Sequence, residues 1–490
     1  MFWADKKAME IIDSGKYKPY WVDDMKTPSG KIHVGSLRGV VIHDLIYKAL
    51  KDRNVEVKYT YIFDDHDPMD DLPIYLPQEF EKYLGMPLFK IPSPEKGFEN
   101  FAKYYALEFR NVFSAIDCQP EVLWSSEIYM SGKMNDVIKL CLDKAQVIRD
   151  IYAELYKKEI PSDWYPFQPY CPQCGKVSTT KVTDWDGEKI SIECVVDKVK
   201  WTKGCGYKGE ISPFSSKGNL VGKLPWKVEW PCKWSVLGIT IEGAGKDHMS
   251  SGGSHDFAKL ICERVLNYEV PYAIPYEFFL IEGKKMSSSK GLGSSAAEML
   301  EILPPEILRF LMVKTRIERA IDFNPGGDTI PKLFDEYQEA SKSKDPDMKR
   351  IFELSQVSKK EVPSTRFIEL VQAIQAPNIK VEDKARDWIP YAKIWIDRFA
   401  PEEMKFSIKD AKVELTNAQK EYLIKVAGEL DKEWTAEDLQ TKLYEWAKEM
   451  KIPSQKAFAG IYLSLFGKSY GPKAAWVILK NKELIKRKFK

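Results

Sequence analysis

The sequence lacks any apolar run approaching the ~20 residues that a bilayer crossing needs. Its first residues, Met1 to Asp13, carry charges where a secretory signal would place its apolar segment. These observations make the cytoplasm the default expected address. A charge excess of one sign is missing too: 74 Lys and Arg against 72 Asp and Glu leave a formal charge of +2. The chain is therefore no polycation that holds nucleic acid through its average field, and any such contact must be local. Internal repeats and low-complexity tracts are absent. Without a secretory signal, the eight cysteines read as thiols or metal ligands rather than a disulfide framework.

What is present is a globular composition, 44% hydrophobic and 30% charged over 490 residues, enough for about three or four cores. Residues 19–25 read as a strand, Thr27 to Gly30 as a turn, and the segment from about His33 as a helix. Val34, Leu37, Val40, Val41 and Leu45 fall at helical spacing. Val55 to Phe63 then reads as a second strand. A strand, crossover helix and strand predict parallel pairing, with ligands bound where strands end and helices begin. Phe101 to Ile116 and Asn135 to Lys157 are patterned as helices. Residues 160–225, rich in Pro, Gly, Cys and Trp, look like an inserted module. Strand signals return at Ser235 to Ile241 and Tyr276 to Ile281. From about residue 300 the pattern is helical, including Pro304 to Lys314 and Asp328 to Lys342, with Ser341 to Arg350 as a plausible linker.

Two segments carry the chemistry. In Thr27-Pro-Ser-Gly-Lys-Ile-His-Val-Gly-Ser36, Gly30 frees the turn, His33 opens the helix, and Gly35 removes the side chain that would keep an adenine from the backbone. A helix N-terminus with an imidazole suits phosphate oxygens; alone, the same string reads as a capped helix with a surface histidine. Gly283-Lys-Lys-Met-Ser-Ser-Ser-Lys-Gly291 follows a strand and sets Lys284, Lys285 and Lys290 around three hydroxyls, a loop able to stabilise charge on a leaving pyrophosphate. Alone, it reads as a polar linker.

Cys171-Pro-Gln-Cys174 and the later Cys194 and Cys205 resemble the knuckles of a zinc ribbon, in which four thiolates staple a module too small for its own core. The first pair has knuckle spacing; the ten residues between Cys194 and Cys205 do not. Cys118, Cys141, Cys232 and Cys262 stand singly in apolar or helical contexts, as small buried hydrophobes do. Gly471 to Lys490 holds seven Lys or Arg against one Glu, either a patch for phosphates or a solvated basic tail.

Together the two segments resemble the HIGH and KMSKS signatures of class I aminoacyl-tRNA synthetases. His33-Val-Gly-Ser36 and Lys285-Met-Ser-Ser-Ser289 stand in those positions. Ser36 replaces the second histidine of the first motif and Ser288 the internal lysine of the second, with Lys290 two residues on. The strings Phe63-Asp-Asp-His-Asp-Pro68, Trp226-Lys-Val-Glu-Trp-Pro231, Gly243-Ala-Gly-Lys-Asp-His248, Gly252-Gly-Ser254 and Gly467-Lys-Ser-Tyr-Gly-Pro-Lys473 narrow the resemblance to the archaeal-type class I lysyl-tRNA synthetases. The segment Asp23-Asp24-Met25-Lys26 departs from that family's smaller, Gly-containing stretch.

The resemblance implies an α/β Rossmann-type catalytic domain with a zinc-ribbon-like insertion, followed by an all-α C-terminal domain. Its expected divisions are a first catalytic half over 1–120, an insertion over 121–225, a second half over 226–291, a helical connection over 292–340 and an anticodon-binding domain over 341–490. It implies a monomer acting on L-lysine, ATP with Mg2+ and tRNA(Lys), with structural Zn2+ on Cys171, Cys174, Cys194 and Cys205. His33, Lys285 and Lys290 are the expected catalytic residues. Thr27, Pro28, Gly35, Ser36, Asp247, His248, Met286, Ser287 and Ser289 are expected at ATP. Asp24, Asp65, Trp226 and Tyr276 are expected at lysine, whose ammonium groups need carboxylates.

Three rival readings remain: a glutamyl- or glutaminyl-type synthetase, which would want Arg for its substrate's carboxylate; a small-molecule adenylyltransferase; and a non-catalytic tRNA-binding relative.

Overall fold

The computed structural model describes residues 1–284, 295–375, 381–406, 408 and 413–489. The chain divides into two units. The first comprises Met1–Leu300, Pro305–Phe323 and Lys344–Ser358; the second comprises Glu301–Pro304, Asn324–Ser343 and Lys359–Lys490.

The first unit is built on five strands: β1 (Tyr20–Lys26), β2 (Val57–Phe63), β3 (Glu121–Trp124), β4 (Ile241–Gly245) and β5 (Tyr272–Tyr276). They lie in the order β5-β4-β1-β2-β3, and every pair is parallel. Residues Tyr59 to Phe63 form an unbroken buried run, as expected where helices cover both faces of a parallel sheet. The crossover from β1 to β2 is helix α1 (Val34–Lys51), which buries Val34, Leu37, Val40, Val41 and Leu45.

Strand order reverses at β1, the position where open α/β sheets bind their ligands. β1 and β4 pair at only two positions, Val22 with Ile241 and Asp23 with Glu242. Beyond these the two strands are unpaired, and a crevice opens between their carboxyl ends.

An excursion between β3 and β4 carries an antiparallel sheet of Thr180–Trp185, Ile190–Cys194 and Lys208–Ile211. The short pairing of Gln168–Pro169 with Gly222–Lys223 closes it and returns the chain to the crevice.

Four local expectations are corrected. Ser235 to Ile241 does not form one strand: helix α2 (Trp226–Leu237) runs through it, Gly238 ends that helix at φ 86°, and the strand begins at Ile241. The alternating Leu237, Ile239 and Ile241 imitate a strand, but Gly238 supplies the left-handed stop that an α-helix uses. Tyr276 to Ile281 is likewise two elements, since β5 ends at Tyr276 and Phe279–Ile281 pairs with Ile321–Phe323 in a separate sheet. Asn135 to Lys157 is two helices, Asn135–Asp143 and Ala145–Tyr156, interrupted at Lys144. Ser341 to Arg350 is no simple linker. Asp345 caps the Met348 N–H and opens a helix over Pro346–Ser355, a start signalled by proline at the first helical position. Arg350 on that helix pairs with Asp5 and Asp52.

In the second unit the described residues form helices and no strand, among them Thr329–Ala340, Phe367–Gln375, Asn417–Glu429, Ala436–Glu449 and Ser454–Phe466. Tyr422, Leu423, Leu439, Leu443 and Ile461 lie in its C-terminal core. Thr416 and Gln419 form a reciprocal capping box at the start of Asn417–Glu429. Among the described residues of the chain, no helix is long and apolar enough to cross a membrane.

Candidate active site

The crevice is a cavity of about 660 Å³ at the carboxyl ends of β1 and β4. Asp24 to Thr27 leave β1 along one wall; Glu242 to Gly245 of β4 and Tyr276 of β5 line another. His33 is among the lining residues and is the N-cap of α1, in extended conformation (φ −73°, ψ 155°). Gly35 and Ser36 follow it on the first turn, where the helix dipole favours an anion, although the Ser36 N–H already donates to the His33 carbonyl at 3.0 Å.

The segment carrying Lys285, Met286, Ser287, Ser289 and Lys290 lies outside the described residues. The described chain resumes at Ser295, beside the first motif. Ser295 bridges to His33, and the Ala296 N–H donates to the Ile32 carbonyl at 2.8 Å.

One wall holds a buried ionic network. Lys223 Nζ lies 2.5 Å from Asp67 Oδ1 and 2.9 Å from Glu229 Oε2. Lys233 pairs with Asp64 and Glu229, and His66 Nε2 is 2.9 Å from Glu229 Oε1. Burial raises the Glu229 carboxyl, but Lys223, Lys233 and His66 outweigh it and hold the group well below the usual carboxylate range. Burial lowers the Lys223 ammonium, and the two carboxylates beside it more than restore its proton.

The groups carried by β1, β4 and β5 have a different balance. Burial pushes Asp24 above its ordinary value. Tyr276 also titrates well above its usual range, through burial and the nearby Asp24, and so keeps its hydroxyl proton. Beneath them, burial and the charge of Glu242 raise Asp23, and burial with the charges of Asp24 and Asp64 raises Glu242. Asp23 accepts from Thr60, while Glu242 accepts from the indole N–H groups of Trp230 and Trp234.

Away from the crevice, the Sγ atoms of Cys171, Cys174, Cys194 and Cys205 all lie within 4.8 Å of one another, with Cys171 to Cys205 at 3.5 Å and Cys174 to Cys194 at 3.7 Å. A tetrahedron of Zn–S bonds of about 2.3 Å has edges of about 3.8 Å, so the donor set fits the metal. The ten residues after Cys194 form a closed excursion. The Gly204 N–H donates to Val196 O and the Gly206 N–H to Cys194 O, which brings Cys205 back beside Cys194. The Cys205 N–H also points at Cys194 Sγ, 3.3 Å away.

Residues 1–361 match the family described as tRNA synthetases class I (K). The chain belongs to this family. Its relatives include the lysine--tRNA ligase of Archaeoglobus fulgidus, 34% identical over 98% of this chain and 97% of that protein. The lysine--tRNA ligase of Methanosarcina barkeri strain Fusaro is 33% identical over 99% and 97%, and that of Picrophilus torridus 32% over 94% of each.

In this class I synthetase the fold gathers Asp24, Thr27, His33, Gly35, Ser36, Trp226, Asp247, His248 and Tyr276 around one cavity. Thr27 donates its hydroxyl to Asp67 at 2.5 Å and so helps to shape the wall. Pro28 is buried and not among the lining residues. Asp65 is not among them either: its carboxylate accepts the Ser126 N–H at 2.8 Å and the Ser126 hydroxyl at 2.5 Å, fixing the start of the helix at Ser125–Met130.

The sequence reading missed Lys223, Glu229, Lys233 and Glu242. Trp226, Glu229, Trp230 and Lys233 recur at the spacing of one helix face, a signal that was there to read once residues 226–237 are seen as helix. Lys223 gives no such signal, since its role depends on the return of the inserted module.

Proposed function

We propose that the chain activates L-lysine with ATP and transfers the lysyl group to tRNA(Lys). The observation that carries this reading is a cavity at the sheet's switch point with a helix N-terminus in its lining and a carboxylate, Asp24, that forms no ion pair with a lysine or arginine among the described residues. A lysine substrate brings the missing cation. No arginine lines the cavity among the described residues, which disfavours a glutamyl-type substrate.

The lysine carboxylate attacks the α-phosphorus of ATP, pyrophosphate leaves, and a terminal ribose hydroxyl of the tRNA then takes the lysyl group from the adenylate. Such chemistry needs positioning and charge stabilisation rather than a protein nucleophile. His33 and the first turn of α1 face the phosphates, with Gly35 and Ser36 beside the adenosine. Asp247 and His248 serve the ribose. Lys285 and Lys290, with Met286, Ser287 and Ser289, supply the second cationic element. The anchoring of Ser295 at His33 supports this, because five residues from Lys290 to Ser295 span at most about 18 Å. The lining carboxylates Asp64, Asp67 and Glu229 already hold lysines, so Mg2+ would be held chiefly by the phosphates, whose charge it would offset.

Asp24 and Tyr276 take the substrate ammonium and Trp226 borders it; Asp65 supports the wall from behind. The four cysteines hold zinc as a closed structural site of zinc-ribbon type. The helical C-terminal region, with the basic Gly471 to Lys490, meets the tRNA. Charging of unfractionated tRNA with labelled lysine, and with no other amino acid, tests the reading; charging with glutamate instead refutes it.

A further inference from the structure

Asp24 is only 8% exposed, and a carboxylate so placed needs something to hold it without spending its charge. His43, fully buried on α1, stands within ion-pair range of it, with Nδ1 3.6 Å from Asp24 Oδ2. Its two nitrogens already have partners. The Gly243 backbone N–H donates to Nε2 at 2.7 Å, so that nitrogen presents its lone pair. Nδ1 lies 2.7 Å from the Gly39 carbonyl, an acceptor only, so Nδ1 carries the proton. The imidazole is thereby fixed as one neutral tautomer bridging α1 to β4. Glycine at 243 permits the approach, since a Cβ there would stand 3.2 Å from His43 Nε2 and 2.8 Å from Ile274 O.

Gly39, one turn before His43, completes the arrangement. A Cβ at this position would lie 2.7 Å from the Tyr276 hydroxyl and 2.9 Å from Asp24 Oδ2. The room that a side chain would occupy is therefore taken by two polar groups of the cavity lining. Elsewhere in the lining, Asp64, Asp67 and Glu229 are matched by Lys223 and Lys233, and Glu242 by two indoles.

We propose that Gly39 and His43 determine the specificity of the cavity for the lysine side-chain ammonium: the bare Cα of Gly39 lets Asp24 and Tyr276 converge, and the neutral His43 supports Asp24 without forming an ion pair with it. Both are positioning residues that act through Asp24. The inference rests on lysine activation as the function and adds the residues that make its charge recognition work.

The test uses the full-length chain and lysine-dependent exchange of labelled pyrophosphate into ATP, with separate KM values for lysine and ATP. Gly39→Ala is compatible with a helix, and it is expected to raise the lysine KM by roughly 10-fold or more while leaving the ATP KM within about twofold. The same change made in a Tyr276→Phe background is expected to raise the lysine KM by a smaller factor, since the nearest atom to the new Cβ is gone. Labelling with 15N-histidine, with His43→Gln to assign the signal, is expected to show the His43 proton on Nδ1 and none on Nε2. An unchanged lysine KM in Gly39→Ala, equal rises in both KM values, or a His43 proton on Nε2 overturns the inference. If the unaltered chain exchanges with no lysine dependence at all, the functional reading falls and this inference with it. If it exchanges with lysine and Gly39→Ala behaves as the parent, the inference alone falls.

Discussion

Lys223 and Glu229, joined at 2.9 Å, are a buried ion pair in the wall of the crevice, with Lys223 only 1% exposed. The pair draws one partner from the end of the inserted module and the other from α2, so the wall takes shape only when both segments are in place. Charges removed from water to this extent are stable only as a set.

Lys223→Met should therefore destabilise the fold by about 3–5 kcal/mol, because Asp67 and Glu229 stay buried with one cation fewer. Guanidinium unfolding of the apoprotein measures it. The double variant Lys223→Met with Glu229→Gln should recover part of that loss, and additive losses would contradict the coupling.

The two sets of carboxylates predict opposite pH responses. Glu229 is held well below its ordinary 4.5, so its contribution is complete above that value and is lost as the pH falls through the lowered folded pKa. Asp23 is raised well above its ordinary 3.8 by burial and by Glu242. Its contribution is present below 3.8 and is lost as the pH rises through the raised folded pKa. Asp23→Asn, which keeps an acceptor for Thr60, should raise the melting temperature relative to the parent more at pH 8 than at pH 5. Equal shifts at both values would refute the assignment.

Elemental analysis of protein purified without chelator should find one zinc per chain. Cys205→Ser should lower that content and the melting temperature while leaving lysine-dependent exchange measurable, since the four sulfurs lie away from the lining of the crevice. Full zinc in that variant would remove Cys205 from the ligand set.

His33→Ala should lower the rate of adenylate formation by about 100-fold, the usual cost of losing one donor to developing charge, with a much smaller change in the lysine KM. A rise in lysine KM at constant turnover would place His33 at the amino acid instead.

Much of the site was legible because its signals are local. His33 follows a Pro-Gly turn and precedes apolar residues at helical spacing, so its place at a helix start can be read from ten residues. The first cysteine pair has knuckle spacing. The remainder depends on distant segments meeting. Cys205 returns to Cys194 only through the glycine-closed excursion at Val196 to Gly204. Asp24 and Asp65 are both acidic residues at strand ends, yet one faces the cavity and the other turns to Ser126, a difference set by which neighbour offers donors. Gly39 and His43 lie in a helix buried on nearly every side between Leu37 and Ile46, and nothing within the helix announces the strand residues packed against them.

The most direct measurement of the central claim is pyrophosphate exchange into ATP, run with each amino acid singly, with and without tRNA. Exchange supported by lysine alone, and lost in Asp24→Asn through a lysine KM raised by roughly 10- to 100-fold, is the expected result. Exchange supported by glutamate, or lysine-dependent exchange that keeps its KM in Asp24→Asn, would contradict it.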